Sequence, residues 1–362
     1  MRVLSERAKA VLNDPARVGR RDEWFARLSD LYAGRGNEYL KSRAMTLGGV
    51  TGGREDGGDS GFGGPPQLIA YEDPEAWVAE ALENLAERLE SGPEPERFCP
   101  VTVESPVYGV HFIDKVLGAD VFYKDDQWNA NYLKNPVGEL KPPDLENDPV
   151  WALAKRAAAA FVSRDVSLPL FGTVVLSSAL NIIVNLYGGD ALEAMMAAPD
   201  KARRDLLVIH GTICAMHSWY IANVPAERLQ GVISWYRTQP PGFGQLCGCT
   251  TQLVSERLYR ELIAPLDDAV LGLYKYGGMI HLCGSHTQHV PVFKSMKNLR
   301  AVQLNDKAAE DLEAYYRGLR PDQMLYFSPC DGISADDALR ITGGDRLVLC
   351  ADVNAPALPG KK

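Results

Sequence analysis

The sequence lacks a long apolar run, since no stretch approaches the ~20 consecutive apolar residues that a membrane-spanning helix needs. It also lacks an excess of basic residues: 38 Lys and Arg stand against 47 Asp and Glu, which gives a net charge of -9. The segment 1–15 is charged throughout and lacks the apolar core of a secretory signal. We therefore expect neither a membrane protein nor a nucleic-acid-binding protein, and we expect a cytoplasmic location.

Cysteine is too sparse for a small disulfide-rich domain, because the chain has 7 cysteines among 362 residues. An odd number in a chain of this size is typical of a reducing compartment, where thiols stay free and are available as metal ligands. With 46% hydrophobic and 23% charged residues, the rest of the composition is that of an ordinary globular protein.

Eight apolar runs with strand character follow residue 97, and helical sequence alternates with them. These runs are 98–105, 169–177, 231–236, 242–250, 277–284, 299–306, 323–330 and 346–353. Between the fourth and the fifth run, an amphipathic helix is predicted with Ser255 as its N-cap. Eight strands followed by helices predict an α/β fold, a closed (β/α)8 TIM barrel over residues 98–355, with an open doubly wound sheet as the alternative.

Residues 1–97 differ from the rest and are predicted to form an N-terminal helical extension. The segment 48–66 within it is rich in glycine, and fixing so many glycines costs too much backbone entropy for a regular element. We expect this segment to be a loop, either a disordered connection or a mobile lid.

The tripeptide His281-Leu282-Cys283 ends the fifth run and is followed by Gly284. Residues i and i+2 of a strand point to the same side, so the imidazole and the thiol share one face. Nitrogen and thiolate sulfur are ligands that zinc prefers, and one further protein ligand leaves a position open for chemistry. The alternative is a chance pairing of two buried side chains.

Polar and sulfur-bearing side chains also stand at the carboxyl ends of other predicted strands, where barrels carry their active sites. They are Glu104, Cys247, Cys249, Asn305, Asp306, Cys330, Cys350 and Asp352. Glu104 is a candidate general base or substrate contact, or else a polar strand-end cap. Asp306 or Asn305 is a candidate partner that orients His281, or else a cap of the following helix.

The other histidines give weaker signals. One predicted helix carries three potential ligands at the spacing i, i+4 and i+7, namely His210, Cys214 and His217. The first and last of these are about 10 Å apart along the helix, too far for one ion, so this face is expected to pack against the barrel. His286 and His289 belong either to the pocket or to a solvated loop, and His111 either contacts substrate or makes local hydrogen bonds.

The sequence resembles the uroporphyrinogen decarboxylase superfamily from about residue 98 to the end, whereas residues 1–97 match it poorly. The resemblance rests on GGMIHLCG with LRAVQLND, on YGVHFIDKVLGADVFY, on the segment from GTVVLSSALN to KARRDLL, and on SERLYRELIAPLDDAVL. It implies the (β/α)8 barrel, and the pattern HxCG marks the zinc-dependent corrinoid methyltransferases of the methylcobamide:coenzyme M type. The arginine-containing substrate motif of the decarboxylase itself has no counterpart near residues 20–60.

The resemblance also implies a ligand set for zinc. His281 and Cys283 match the first two ligands of the family directly, and a cysteine at the end of the last strand would be Cys350. The GCG-type turn that surrounds this third ligand in the family is missing here. Other cysteines are therefore alternatives for the third ligand, in decreasing order of preference Cys330 and then Cys247 or Cys249.

The implied activity is methyl transfer between a corrinoid, carried by a separate partner protein, and a small-molecule thiol. Zinc suits this reaction because a thiol reacts as its thiolate, whereas an ordinary thiol with a pKa of about 8.5 is mostly protonated at neutral pH. Coordination to zinc removes that proton. Two alternatives stay open: a cofactor-independent decarboxylase or other lyase, and a non-catalytic barrel that binds a corrinoid or tetrapyrrole.

Overall fold

The computed structural model describes residues 3–35, 40–42, 73–91, 100–104, 108–125, 127–231 and 237–350. The glycine-rich segment 48–66, Asp352 and most of the predicted strand 231–236 lie outside these residues. Within the part that is described, no helix is long and apolar enough to span a membrane.

The strands form two parallel sheets and one antiparallel hairpin. In spatial order, the larger sheet contains β1 (Leu40–Ser42), β11 (Leu347–Cys350), β10 (Met324–Phe327), β9 (Leu299–Leu304), β8 (Gly278–Leu282) and β7 (Gly244–Cys247). The smaller sheet contains β2 (Thr102–Glu104), β5 (Leu170–Gly172) and β6 (Leu229–Gln230). The hairpin pairs β3 (Asp120–Lys124) with β4 (Gln127–Asn131).

Helices connect the strands. They are α1 (Glu6–Leu12), α2 (Pro15–Tyr32), α3 (Pro74–Ser91), α4 (Phe112–Val116), α5 (Pro149–Val162), α6 (Ala179–Tyr187), α7 (Gly189–Ala197), α8 (Pro199–Asn223), α9 (Glu256–Leu258), α10 (Ala264–Leu271), α11 (Val290–Ser295), α12 (Lys307–Glu310), α13 (Leu312–Gly318) and α14 (Ala335–Thr342).

The predicted amphipathic helix after the fourth run is confirmed, with one irregularity. Ser255 caps it as expected, because its side chain accepts a hydrogen bond from the Leu258 N–H at 3.3 Å. A π-helical turn, Tyr259–Ile263, separates α9 from α10. Pro265 follows this turn and has no N–H to donate to the carbonyl four residues earlier, which explains the interruption of the regular helical bonds.

The strands β7 to β11 are buried on both faces, as parallel strands usually are. Ile280 belongs to the main core with the helices, whereas its neighbour Met279 belongs to a second apolar cluster on the opposite face. Leu28 and Leu31 of α2 belong to this second cluster. The N-terminal helix α2 therefore packs directly on the face of the larger sheet that does not meet the main core.

Seven of the eight predicted runs contain a strand, and the α/β class is confirmed. Among the described strands, however, the two sheets do not close into a ring: β11 pairs with β10 and β1, and a single bridge between Ser177 and Cys247 joins the segment after β5 to β7. The sequence did not predict β1, which has three residues, or the largely polar β3–β4 hairpin, because neither carries a clear apolar period.

Candidate metal centre

Two adjacent parallel strands carry the candidate centre at their carboxyl ends. In the register of β7 and β8, Cys247 lies beside His281. The chain leaves β7 through Gly248 and enters a 3-10 turn at Cys249, while Cys283 directly follows β8. The Gly248 N–H donates to the His281 carbonyl at 2.9 Å and keeps this turn against β8. Parallel pairing therefore brings together two short motifs that lie more than thirty residues apart in the sequence.

Three sulfur atoms and one ring nitrogen gather at this point. The ligand atoms of Cys247, Cys249 and His281 all lie within 4.8 Å of one another. The Sγ atoms of Cys247 and Cys249 are 3.3 Å apart, and the Sγ atoms of Cys249 and Cys283 are 3.2 Å apart. Cys283 Sγ lies 3.0 Å from His281 Nε2. Sulfur and imidazole nitrogen at this spacing are a donor set that fits a zinc ion.

The glycine between the two cysteines is required by space. A Cβ at Gly248 would lie 2.5 Å from Cδ1 of Ile280 and 2.9 Å from its Cγ1. Ile280 is fully buried in the main core and cannot move away without opening a void. The sequence Cys-Gly-Cys is therefore what lets both sulfurs turn towards β8.

The orientation of the His281 ring is set by Gln303 on β9. Gln303 Nε2 donates to Ser328 Oγ at 3.0 Å and to the Leu304 carbonyl at 3.3 Å, so Gln303 Oε1 is the atom that faces His281. His281 Nδ1 contacts this oxygen and must carry the proton. The other nitrogen, Nε2, then presents its lone pair towards the sulfurs, which is the tautomer a metal ligand needs.

Helix α6 holds the Cys247–Cys249 turn from the opposite side. Asn181 Nδ2 donates to Cys247 Sγ at 3.4 Å, and its Oδ1 accepts from the Thr250 N–H at 3.1 Å. The Ser178 N–H donates to the Cys247 carbonyl at 2.8 Å. One side chain thus contacts both ends of the turn and fixes the spacing of its sulfur atoms.

The electrostatics of the centre favour ionised sulfur at Cys247 and Cys283 and a neutral ring at His281. The hydrogen bond from Cys249 lowers the pKa of Cys247 to about 7 and also lowers the pKa of Cys283, whereas the pKa of Cys249 itself is raised. Burial, followed by the positive charge of Arg237, holds the pKa of His281 well below its usual range. Arg237 is 4% exposed and lowers the pKa of both outer cysteines. Cys247, Cys283 and His281 are thus shifted towards the protonation states in which Cys and His bind metal ions, whereas Cys249 is shifted towards the protonated thiol.

Cys350 and Cys330 do not join this group. Cys350 lies on the face of β11 that does not meet the main core, in the second apolar cluster with Tyr32 and Met279. Burial raises the pKa of its thiol to about 12. Cys330 Sγ lies 3.5 Å from the Asp306 carbonyl in a half-exposed turn. For the third ligand, the sequence ranked Cys350 and Cys330 before Cys247 and Cys249. The structure places Cys247 and Cys249 in the group with His281, and Cys350 and Cys330 are not part of it.

The predicted polar residues occupy other positions. Asp306 is the N-cap residue that precedes α12; its φ is 47°, and its side chain makes no capping hydrogen bond. Asn305 Nδ2 donates to Asp306 Oδ2 at 3.0 Å. In the described contacts Gln303 takes the place expected for them beside His281. Glu104 ends β2 as predicted, and its side chain lies outside the description. No role was predicted for Gln303 from the sequence, although a single amide side chain within the apolar strand LRAVQL indicates a buried hydrogen bond.

The remaining histidines are structural or lie elsewhere. His217 is buried and bonds the Tyr274 hydroxyl at 2.7 Å, whereas His210 contacts Cys214 on the same helix. His286 and His289 are fully buried, so the expectation of a solvated loop is wrong. Both bond Thr251, which lies in the 3-10 turn that carries Cys249. His286 Nδ1 is 2.8 Å from Thr251 Oγ1, and His289 Nε2 is 2.8 Å from the Thr251 carbonyl oxygen.

Comparisons with known proteins support the fold. No protein-family model and no curated protein sequence matches the chain. Among solved structures, it is similar to a methyltransferase from Methanosarcina mazei, with a TM-score of 0.59 and 14% sequence identity over 91% of this chain and 93% of that chain. The likeness extends over nearly the whole of both chains, so the two share a fold.

Proposed function

We propose that this protein is a zinc-dependent methyltransferase that moves a methyl group between a corrinoid and a thiol. The observation that carries the proposal is the gathering of Cys247, Cys249, Cys283 and His281 at the carboxyl edge of a parallel sheet. This edge is where α/β enzymes of the barrel type carry out their chemistry. The likeness to a methyltransferase adds support at the level of the fold.

The residues that would hold zinc are Cys247, Cys249 and His281. The fourth position of the ion would be open to the substrate thiol, with Cys283 beside it. This set differs from the one that the sequence resemblance implies, because Cys350 is replaced by cysteines of the β7 turn. Zinc in such a site lowers the pKa of a thiol that binds to it and so supplies a thiolate at neutral pH. Gln303 and Asn181 would hold the ring and the turn in place, as outer partners of metal ligands do.

The broader arrangement is proposed on the same basis. Eight strands of the two parallel sheets, β2 and β5 to β11, would form one barrel over residues 98–355, with residues 1–97, which include β1, as an extension. Side chains of both sheets already share one apolar core, for example Val103 of β2 and Leu246 of β7. The corrinoid would be carried by a partner protein in the cytoplasm, where thiols stay reduced. The roles of Glu104 as a base and of Asp306 stay within this proposal.

The experiment is metal analysis followed by a methyl-transfer assay. The purified chain should contain about one zinc per molecule, and the zinc-loaded protein should remove the methyl group from free methylcobalamin when a thiol is added, which changes the cobalamin absorbance. The His281→Ala variant should lose both properties. Zinc binding without any spectral change for a range of thiols would instead favour the lyase or the non-catalytic barrel. A chain that binds no zinc contradicts the proposal altogether.

A further inference from the structure

A histidine–carboxylate pair lies just beyond β2, outside the metal centre. His111 Nδ1 and Asp114 Oδ2 are 2.6 Å apart, and Asn185 Nδ2 donates to the same oxygen at 2.8 Å. Because a carboxylate only accepts hydrogen bonds, Nδ1 of His111 carries the proton in the neutral ring. Nε2 is then a proton acceptor.

Unlike the ion pairs on the surface of the protein, the His111–Asp114 pair has one fully buried partner. The side chain of Asp114 is 0% exposed, whereas that of His111 keeps 16% of its surface accessible. Burial raises the pKa of Asp114, and the hydrogen bond from His111 opposes this effect. A buried carboxylate is costly unless it is bonded, and in the described residues its second oxygen has no hydrogen-bond partner. Of the two side-chain hydrogen bonds that Asp114 accepts, one therefore comes from the buried side of α6 and the other from a ring that reaches solvent.

The pair and the metal centre are held by the same helix. Asn181 and Asn185 lie four residues apart on α6, on one face and about 6 Å apart along its axis. The first contacts Cys247 and the second contacts Asp114. His111 follows β2 along the chain, as Cys249 follows β7. The contacts of the pair and of the metal centre with α6 thus lie one helical turn apart on the same face.

We infer that His111 is the proton acceptor for the incoming thiol and that Asp114 is its positioning residue. In this step, the S–H bond of the substrate breaks, an N–H bond forms at His111 Nε2, and the electron pair stays on sulfur. The proton then passes to solvent. The inference rests on the proposed function and names a catalytic residue for it, since it requires a thiol as the substrate.

The test compares two thiols of similar size with different acidity, ethanethiol and 2,2,2-trifluoroethanethiol. It uses the zinc-loaded protein and methylcobalamin, at a pH where the fluorinated thiol is ionised and ethanethiol is not. The His111→Gln variant should lose about 10²–10⁴-fold in kcat with ethanethiol, the usual contribution of general base catalysis, and less than about 3-fold with the fluorinated thiol. Asp114→Asn should show a smaller loss of the same pattern, and His210→Gln, on α8, is the control.

The outcomes distinguish the role inferred for His111 from the proposed methyltransferase function. Zinc content and the circular dichroism spectrum should match the wild type in each variant, and His111→Asn replaces His111→Gln if that variant does not fold. Equal losses for both thiols indicate a structural role and overturn the inference, as does an unchanged rate. A zinc-loaded wild-type protein that uses neither thiol overturns the proposed function and, with it, this assignment of His111.

Discussion

Replacing single cysteines by serine should divide them into those that hold zinc and those that do not. Cys247→Ser and Cys249→Ser each remove a sulfur that lies within 4.8 Å of the other ligand atoms of the centre. Cys350→Ser removes a sulfur that is packed among apolar side chains. We expect the first two variants to lose zinc affinity and the third to keep it. This contrast is the reverse of what the sequence resemblance implies for Cys350.

The expected loss of zinc affinity in each variant follows from the number of ligands that hold the ion. Structural zinc sites with four ligands bind with about 10–16 kcal/mol, which is roughly 3–4 kcal/mol for each ligand. Since 1.4 kcal/mol corresponds to a factor of ten, the loss of one sulfur should raise the Kd about 10²–10³-fold. Gln303 and Asn181 still hold the remaining ligands in each variant, so the rest of the centre should keep its geometry.

The assay is competition for zinc with a coloured chelator at fixed pH, together with the absorbance of the cobalt-substituted protein, whose sulfur-to-metal bands weaken with each lost thiolate. Circular dichroism checks that each variant is folded. A Cys350→Ser variant that loses zinc while Cys247→Ser and Cys249→Ser bind it as tightly as the wild type would refute the geometric argument.

Three further predictions test the surroundings of the centre and the fold. Gln303→Leu removes the acceptor for His281 Nδ1 and should weaken zinc binding about 10–100-fold in the same competition assay; unchanged affinity would contradict the role of Gln303. Burial raises the pKa of Asp267 to about 7, so its protonated form stabilises the fold at low pH and this stability, up to about 4 kcal/mol, is lost as the pH rises from about 4 through 7. Urea unfolding should show most of this loss, about 3 kcal/mol, between pH 5 and pH 8 in the wild type and not in Asp267→Asn, and a wild-type free energy of unfolding that is equal at both pH values would refute the burial argument. Gly278→Ala would drive a Cβ into the backbone of the neighbouring strand and should cost about 1–3 kcal/mol, seen as a lower Tm, whereas Gly211→Ala in α8 has no neighbour within 4 Å and should not destabilise.

The strands could be read from the sequence because they are buried on both faces. A run such as GGMIHLCG is continuous in apolar residues, and this pattern is a local property of the chain. The same is true of the helix that begins after Ser255, whose cap and apolar spacing are both local. By contrast, β1 is three residues long, and its place beside β11 depends on a distant part of the chain.

The sequence by itself determined that His281 and Cys283 share a face, because alternation along a strand is a matter of spacing alone. It also determined which strand ends carry sulfur. Only the tertiary structure decided which of these sulfurs meet, since this depends on the neighbours of β8 and on their register. β7 brings Cys247 and Cys249 to His281, β9 brings Gln303, and β11 holds Cys350 against the apolar cluster instead. Strand order and register are set by packing over the whole fold, so no local pattern shows which of these cysteines lie beside His281.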